Sequence, residues 1–167
     1  VGQFVYLSSM SVYGMDTGVI TRETPPAPTS HYGKSKLLAE ERLRHLADDS
    51  FRIAILRPPM VYGKDCPGNF QTVIKLVKRL PIFPRVRNRR SMIYVENLCA
   101  FVKLVIDREL DGYFFPQNAE YAETTQIARL AAKSLGKRVW FSFLAGAGVL
   151  LLRPCSSKLR KARKNYQ

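Results

Sequence analysis

Tyr32 and Lys36 lie four residues apart at the start of a helical pattern that runs from Tyr32 to about Leu46. Residues i and i+4 share a face of an α-helix, so a phenol and an ammonium at this spacing can point into one site. A nearby cation favours the phenolate and lowers a Tyr pKa from its ordinary value of about 10. Such a phenol can transfer protons near neutral pH. Taken alone, the pair reads more readily as part of a solvated helix face than as a site.

The flanking elements must position the pair. Upstream, Gln3-Phe4-Val5-Tyr6-Leu7-Ser8-Ser9-Met10-Ser11-Val12-Tyr13-Gly14 is an apolar run that ends in hydroxyls and a Gly turn. It predicts a buried strand opening into a polar loop. Downstream, Phe51-Arg52-Ile53-Ala54-Ile55-Leu56-Arg57-Pro58-Pro59-Met60-Val61-Tyr62-Gly63 predicts a second short strand, stopped by Pro-Pro and a turn. Between them, the Thr- and Pro-rich stretch Met15 to Ser30 leads into the helix, where Thr29 or Ser30 can cap the first turn. Ligands of open α/β sheets bind beyond the carboxyl ends of the strands, where both polar loops lie.

This order resembles the extended short-chain dehydrogenase/reductase superfamily, specifically its NAD-dependent nucleotide-sugar epimerases and dehydratases. The similar stretches are Ser8 to Gly14, Tyr32-Gly33-Lys34-Ser35-Lys36 with Ala39-Glu40 behind it, Leu56 to Gly63, and Arg90-Ser91-Met92-Ile93-Tyr94-Val95-Glu96-Asn97-Leu98. UDP-galactose/UDP-glucose 4-epimerases and their polysaccharide-biosynthesis relatives are the members suggested. The resemblance implies an α/β fold: the C-terminal portion of a Rossmann-like doubly wound parallel sheet, plus a small mixed α/β substrate-binding region. The expected division is 1–64 for the Rossmann-like part with the catalytic helix, 65–153 for mainly substrate binding, and 154–167 for a basic tail.

Roles follow from the resemblance. Tyr32 would be the acid/base on the sugar hydroxyl, and Lys36 would hydrogen-bond the nicotinamide ribose and depress the Tyr32 pKa. Ser9 falls on the catalytic Ser/Thr and would hold the sugar oxygen; Ser8, on the cofactor side, and Ser11, on the substrate side, are runners-up. Pro58, Pro59 and Met60 would lie beside the nicotinamide. Asn69 and Phe70 sit where sugar-nucleotide contacts are expected, and Arg90, with Arg87, would reach the diphosphate. No metal is required. A homodimer through the Tyr/Lys helix is a further expectation.

Three departures refine this. Met60 stands where many members carry a polar residue. Met10-Ser11 replaces the Asp-Glu pair of dehydratases, which favours epimerisation or simple reduction. The Gly-x-x-Gly-x-x-Gly turn that receives the pyrophosphate has no counterpart, and Gly146-Ala147-Gly148 lies at the wrong end. The expectation is therefore a fragment of a longer NAD enzyme.

The chain has 167 residues, 46% hydrophobic, enough for one core. Its three Cys, at 66, 99 and 155, lack metal spacing and predict thiols in a reducing, cytoplasmic compartment. Helices are predicted over Asn69 to Leu80, Glu96 to Arg108 and Thr124 to Leu135, and strands over Ser91 to Val95 and Gly112 to Phe115. The apolar run Val139 to Leu152 is shorter than the roughly 20 residues needed to span a bilayer. It predicts a buried or dimer-packing helix, although the basic cluster Lys158 to Lys164 behind it leaves a membrane-surface role open. A net charge of +14 with an Arg-rich stretch is also the electrostatic footprint of a nucleic-acid binder, but no zinc-finger or RNA-binding motif accompanies it. A catalytically inactive scaffold is the remaining alternative.

Overall fold

In chain order the elements are β1 (Gln3–Leu7), a 3-10 turn (Met10–Tyr13), α1 (His31–Arg44), β2 (Arg52–Leu56), β3 (Met60–Tyr62), α2 (Asn69–Arg79), β4 (Ile82–Pro84), β5 (Met92–Tyr94), α3 (Val95–Asp107), β6 (Gly112–Phe114), α4 (Thr124–Ser134) and β7 (Trp140–Ser142). They come from a computed structural model that describes residues 1–64, 66 and 69–143. The chain divides into two units: Val1–Gly63 with Met92–Ala119, and Lys64–Ser91 with Glu120–Gln167.

The first unit is built on a parallel sheet of order β1-β2-β6. Its central strand, Arg-Ile-Ala-Ile-Leu, is buried from Ile53 to Leu56. A continuous apolar run with Ile at two positions suits a parallel strand covered on both faces. The register pairs Gln3 with Arg52 through Leu7 with Leu56, and Ala54 with Gly112 through Leu56 with Phe114. On one face Ala54, Leu56 and Val105 form a core with Val5, Phe101, Val102, Leu110 and Phe114. Phe101 meets Phe114 edge-on at 5.9 Å. The Gln3 amide donates to the carbonyls of Val105 (3.1 Å) and Leu110 (2.9 Å), which ties β1 to the end of α3. β3 and β5 form a separate parallel pair, Met60 with Met92 through Tyr62 with Tyr94.

Helix α1 starts one residue earlier than its pattern predicts, and Ser30 is its cap. The Ser30 hydroxyl accepts from the Gly33 amide at 3.0 Å, with Ser30 itself extended. Ser30→Ala should lower the stability of the chain by about 1 kcal/mol in denaturant titration, whereas Thr29→Ala should leave it unchanged.

In the second unit, α2 packs on α4. Val77, Phe83, Ala128, Ala131 and Ala132 form its buried core. The three alanines recur at i, i+3 and i+4 of α4, the spacing of one helix face. β4 pairs in parallel with β7, Ile82 with Trp140 through Pro84 with Ser142.

The α/β class and its parallel pairing agree with expectation, as do all four helices within two residues at their ends. Two results differ. β3 and β4 went unforeseen because prolines punctuate both runs: β3 follows Pro58-Pro59, and β4 lies between Pro81 and its own last residue, Pro84. The Val139 to Leu152 run begins as strand rather than helix. Phe141 turns inward onto Phe83 (6.0 Å) while its neighbour Trp140 is 78% exposed, a period-2 alternation set by pairing with β4. The remainder of that run and the basic tail lie outside the described residues.

Candidate active site at the carboxyl ends of the first two strands

Beyond Leu7 the chain turns sharply. Ser9 caps the 3-10 turn: its hydroxyl accepts from the Ser11 amide (3.1 Å) and donates to the Ser11 hydroxyl (3.1 Å). The Ser8 amide donates to the Leu56 carbonyl (2.7 Å) and the Met10 amide to the Pro58 carbonyl (3.1 Å). The hydroxyl loop is thereby fixed to the end of β2 and to the Pro loop.

Helix α1 approaches this turn through a glycine. A Cβ at Gly33 would lie 2.4 Å from the Ser11 carbonyl oxygen, so only glycine allows the contact. Gly14, which closes the turn, has φ +62°, and a Cβ there would lie 2.1 Å from the Ala27 oxygen. The residue after Tyr32 therefore rests on the backbone that carries Ser9 and Ser11.

The Tyr32 ring is 56% exposed at this sheet end. The Lys36 ammonium donates to the Leu7 carbonyl at 2.7 Å. It also lies 4.8 Å from the centroid of the Tyr6 ring and 5.8 Å from that of Tyr32. Burial, and then the charge of Glu40, raises the Tyr6 pKa above its ordinary value. Lys36 thus rests on a neutral phenol. An ammonium has three donors, and the Leu7 carbonyl takes one.

Behind the pair is a buried polar cluster that sequence reasoning did not assign. Glu40 is 0% exposed. Arg57 binds it in a fork, Nε to Oε1 at 3.1 Å and Nη2 to Oε2 at 2.5 Å. Arg57 Nη1 donates to the Tyr13 hydroxyl at 2.7 Å, and its guanidinium stacks 4.5 Å from the Tyr113 ring. Ser8 donates its hydroxyl to Glu40. Burial opposes the Arg57 charge, but the hydrogen bonds and charge of Glu40, with the Tyr13 hydroxyl, outweigh it and raise the pKa. A signal was available, since Glu40 follows Lys36 by four residues and shares its helix face.

Of the remaining predicted residues in this unit, Pro58 is buried, Pro59 is half-buried and Met60 opens β3. Ser8, Ser9, Ser11, Tyr32, Lys36, Pro58, Pro59 and Met60 all belong to the first unit, and Asn69, Phe70, Arg87 and Arg90 to the second. Asn69 and Phe70 start α2. Arg87 lines a cavity of about 890 Å³ with Arg85, Arg89, Arg129 and Glu123. Arg90 pairs with Ala122 through two 2.9 Å backbone hydrogen bonds. Asn88, Thr124 and Thr125 hold this loop to the start of α4: Asn88 exchanges hydrogen bonds with Thr124, and Thr125 with Val86. Cys66 and Cys99 are free thiols. Among the described residues no cluster of His, Cys, Asp or Glu could hold a metal ion, and no helix is long and apolar enough to cross a membrane.

A parallel α/β sheet with hydroxyls, a Tyr and a Lys gathered at its carboxyl end defines the short-chain dehydrogenase/reductase class of site. The chain belongs to the NAD dependent epimerase/dehydratase family, whose model matches residues 1–113. It is similar to a UDP-glucose 4-epimerase of Vibrio cholerae, 32% identical over 84% of this chain and 45% of the relative. It is also similar to an N-acetyl-alpha-D-glucosaminyl-diphospho-ditrans,octacis-undecaprenol 4-epimerase of Escherichia coli O157:H7, 31% identical over 68% of this chain and 36% of the relative. The chain thus spans less than half the length of these relatives. Its fold matches the UDP-glucuronic acid 4-epimerase of Bacillus cereus solved with NAD, with a TM-score of 0.72 at 20% identity, covering 99% of this chain and 60% of that one.

Proposed function

We propose that the whole protein is an NAD-dependent nucleotide-sugar epimerase acting at C4 of a UDP-hexose. The observation that carries this reading is the Tyr32–Lys36 pair at an open sheet end, with Lys36 held by the Leu7 carbonyl and the Ser9–Ser11 turn packed against Gly33. The residues suit the cofactor, since Lys36 keeps donors for ribose hydroxyls and Pro58, Pro59 and Met60 border the same sheet end. Bound NAD supplies the hydride acceptor and donor. Tyr32 takes the proton of the 4-hydroxyl and Ser9 holds that oxygen. The 4-keto sugar then presents its other face, and Tyr32 returns the proton. Ser8, spent on Glu40, orders the loop. Asn69, Phe70, Arg87 and Arg90 serve the nucleotide and its diphosphate. We further assign the protein to the cytoplasm, as a homodimer.

Simple reduction is the second reading, favoured over dehydration by Met10-Ser11 in place of an acid pair. Binding of NADH decides first. The chain should be titrated by fluorescence alone and joined to the half of the Vibrio cholerae relative that it does not match. The joined protein should bind NADH saturably and interconvert UDP-glucose and UDP-galactose. Conversion of only a polyprenyl-diphosphate sugar would move the substrate to that of the Escherichia coli relative. Absence of NADH binding by either form would defeat the oxidoreductive mechanism in favour of a scaffold or nucleic-acid binder.

A further inference from the structure

The first unit carries 9 basic and 10 acidic residues, whereas the stretches 64–91 and 120–143 of the second carry 12 basic and 3 acidic. Four of those basic residues, Arg85, Arg87, Arg89 and Arg129, line one cavity of about 890 Å³. Among the described residues the only carboxylate in its lining is that of Glu123. Like charges gathered around one concavity repel, and the fold must hold them against that repulsion.

A framework does so. Arg85, Arg87 and Arg89 are exposed and alternate with half-buried Val86, Asn88 and Arg90. Each half-buried residue is tied to the start of α4 or to the residues before it. The Val86 amide donates to the Thr125 hydroxyl (2.8 Å), and the Val86 carbonyl accepts from it (2.7 Å). Asn88 exchanges two 2.9 Å hydrogen bonds with Thr124, and Arg90 two through its backbone with Ala122. Fixing every second residue fixes the arginines between them, so an incoming anion has little ordering to impose.

The guanidiniums present their edges. Arg85 and Arg87 lie 4.6 and 5.7 Å from the Phe143 ring centroid, Arg89 5.0 Å from that of Tyr121, and Arg129 5.3 Å from that of Phe141. A ring occupies the flat face of a guanidinium and leaves its N–H edges open. Among the described residues none of these four side chains makes an ion pair or a hydrogen bond. Thr125 and Gln126, in the first turn of α4, also line the cavity, and Glu123 at the N-cap makes no capping bond through its side chain. A helix start adds partial positive charge and amides suited to an oxyanion.

Size and charge select the ligand. The volume falls within the about 300–1,000 Å³ of small-molecule sites, and guanidinium forks match phosphate oxygens. A sugar diphosphate, esterified at both ends, carries about two charges, and a terminal phosphate adds about one more. Four guanidiniums against one carboxylate match the more highly charged group. Of the residues assigned to the sugar nucleotide, Asn69, Phe70 and Arg90 do not line the cavity, and Arg87 alone is common to both. We propose that the cavity is a second site, which binds the terminal di- or triphosphate of a small phosphorylated molecule other than the sugar nucleotide. Its chemistry is independent of the reaction at Tyr32.

Inorganic tripolyphosphate is the probe. In isothermal titration the 167-residue chain should bind one equivalent, and sulfate at equal concentration should not displace it. Arg85→Gln/Arg129→Gln should weaken binding about 100-fold, at roughly tenfold per arginine. Arg85→Lys/Arg129→Lys should still lose about tenfold, because Lys keeps the charge but not the fork. Glu123→Gln removes the opposing charge and should tighten binding several-fold. Affinity for UDP-glucose should be the same in all of these double variants as in the unmodified chain. Unchanged tripolyphosphate binding by the Gln double variant would transfer the anion to the basic sequence past residue 143 and overturn the proposal. Unchanged binding by the Lys double variant would reduce the cavity to diffuse charge, with the same consequence. Parallel loss of UDP-glucose and tripolyphosphate would merge the cavity with the substrate site and overturn it too. So would tighter binding of a single-stranded oligonucleotide that the Gln double variant abolishes, which would assign the arginines to nucleic acid. Absence of UDP-glucose binding by the unmodified chain bears on the epimerase reading alone. If the Gln double variant loses its circular dichroism, Glu123→Gln decides, and unchanged affinity there overturns the site.

Discussion

Tyr32→Phe should lower turnover of the UDP-hexose by about 10²- to 10⁴-fold, the range for loss of a general acid/base. The hydroxyl is the only atom removed. The ring stays, and with it the face toward Lys36, whose ammonium lies 5.8 Å from its centroid. Binding of NADH should therefore change by less than a few fold. Lys36→Met should behave differently. It removes the hydrogen bond to the Leu7 carbonyl as well as the donors offered to the ribose, so both turnover and NADH affinity should fall. Both variants are measured in the form joined to the unmatched half of the Vibrio cholerae relative. Full activity in Tyr32→Phe would remove Tyr32 from the chemistry and transfer the acid/base role to another group at the sheet end.

The legibility of this site follows from how local its parts are. Tyr32 and Lys36 are linked by helix periodicity, and the Ser8 to Gly14 loop by an apolar run that stops. Both can be read along the chain. A cap at Thr29 or Ser30 was legible because a cap acts across three residues, and the hydrogen bond to the Gly33 amide selects Ser30. The Glu40–Arg57 pair spans 17 positions and two elements. The one local signal is that Glu40 shares a helix face with Lys36, and nothing along the chain points from Glu40 to Arg57. Gly33 illustrates the same limit, because its necessity lies in the Ser11 carbonyl rather than in its own helix. The arginine loop was visible as a charge cluster. Its hold on α4 through Asn88, Thr124 and Thr125 depends on pairs 36 to 39 residues apart. Strand β7 shows pairing overriding pattern, since a short apolar run suits helix and strand equally until β4 supplies a partner.

Glu40→Ala should destabilise the chain by about 3–5 kcal/mol, the cost of stranding one member of a buried ion pair. The change leaves Arg57, only 8% exposed at its side chain, without its carboxylate. It also releases the Ser8 hydroxyl. Thermal unfolding should drop by more than about 10 °C. Glu40→Gln keeps the volume and the acceptor oxygen and should cost less. The informative variant is the double replacement Glu40→Leu/Arg57→Met. Removing both charges removes the desolvation penalty along with the attraction, so stability should recover most of what the single change loses. The chemistry should not recover with it. Glu40 and Arg57 join α1, the hydroxyl loop and the end of β2 by directed hydrogen bonds, whereas Leu and Met fill the same space without fixing an orientation. A stable double variant that binds NADH with unchanged affinity would show that packing alone sets the sheet end. A stable one with weakened binding would show that the buried pair positions Lys36.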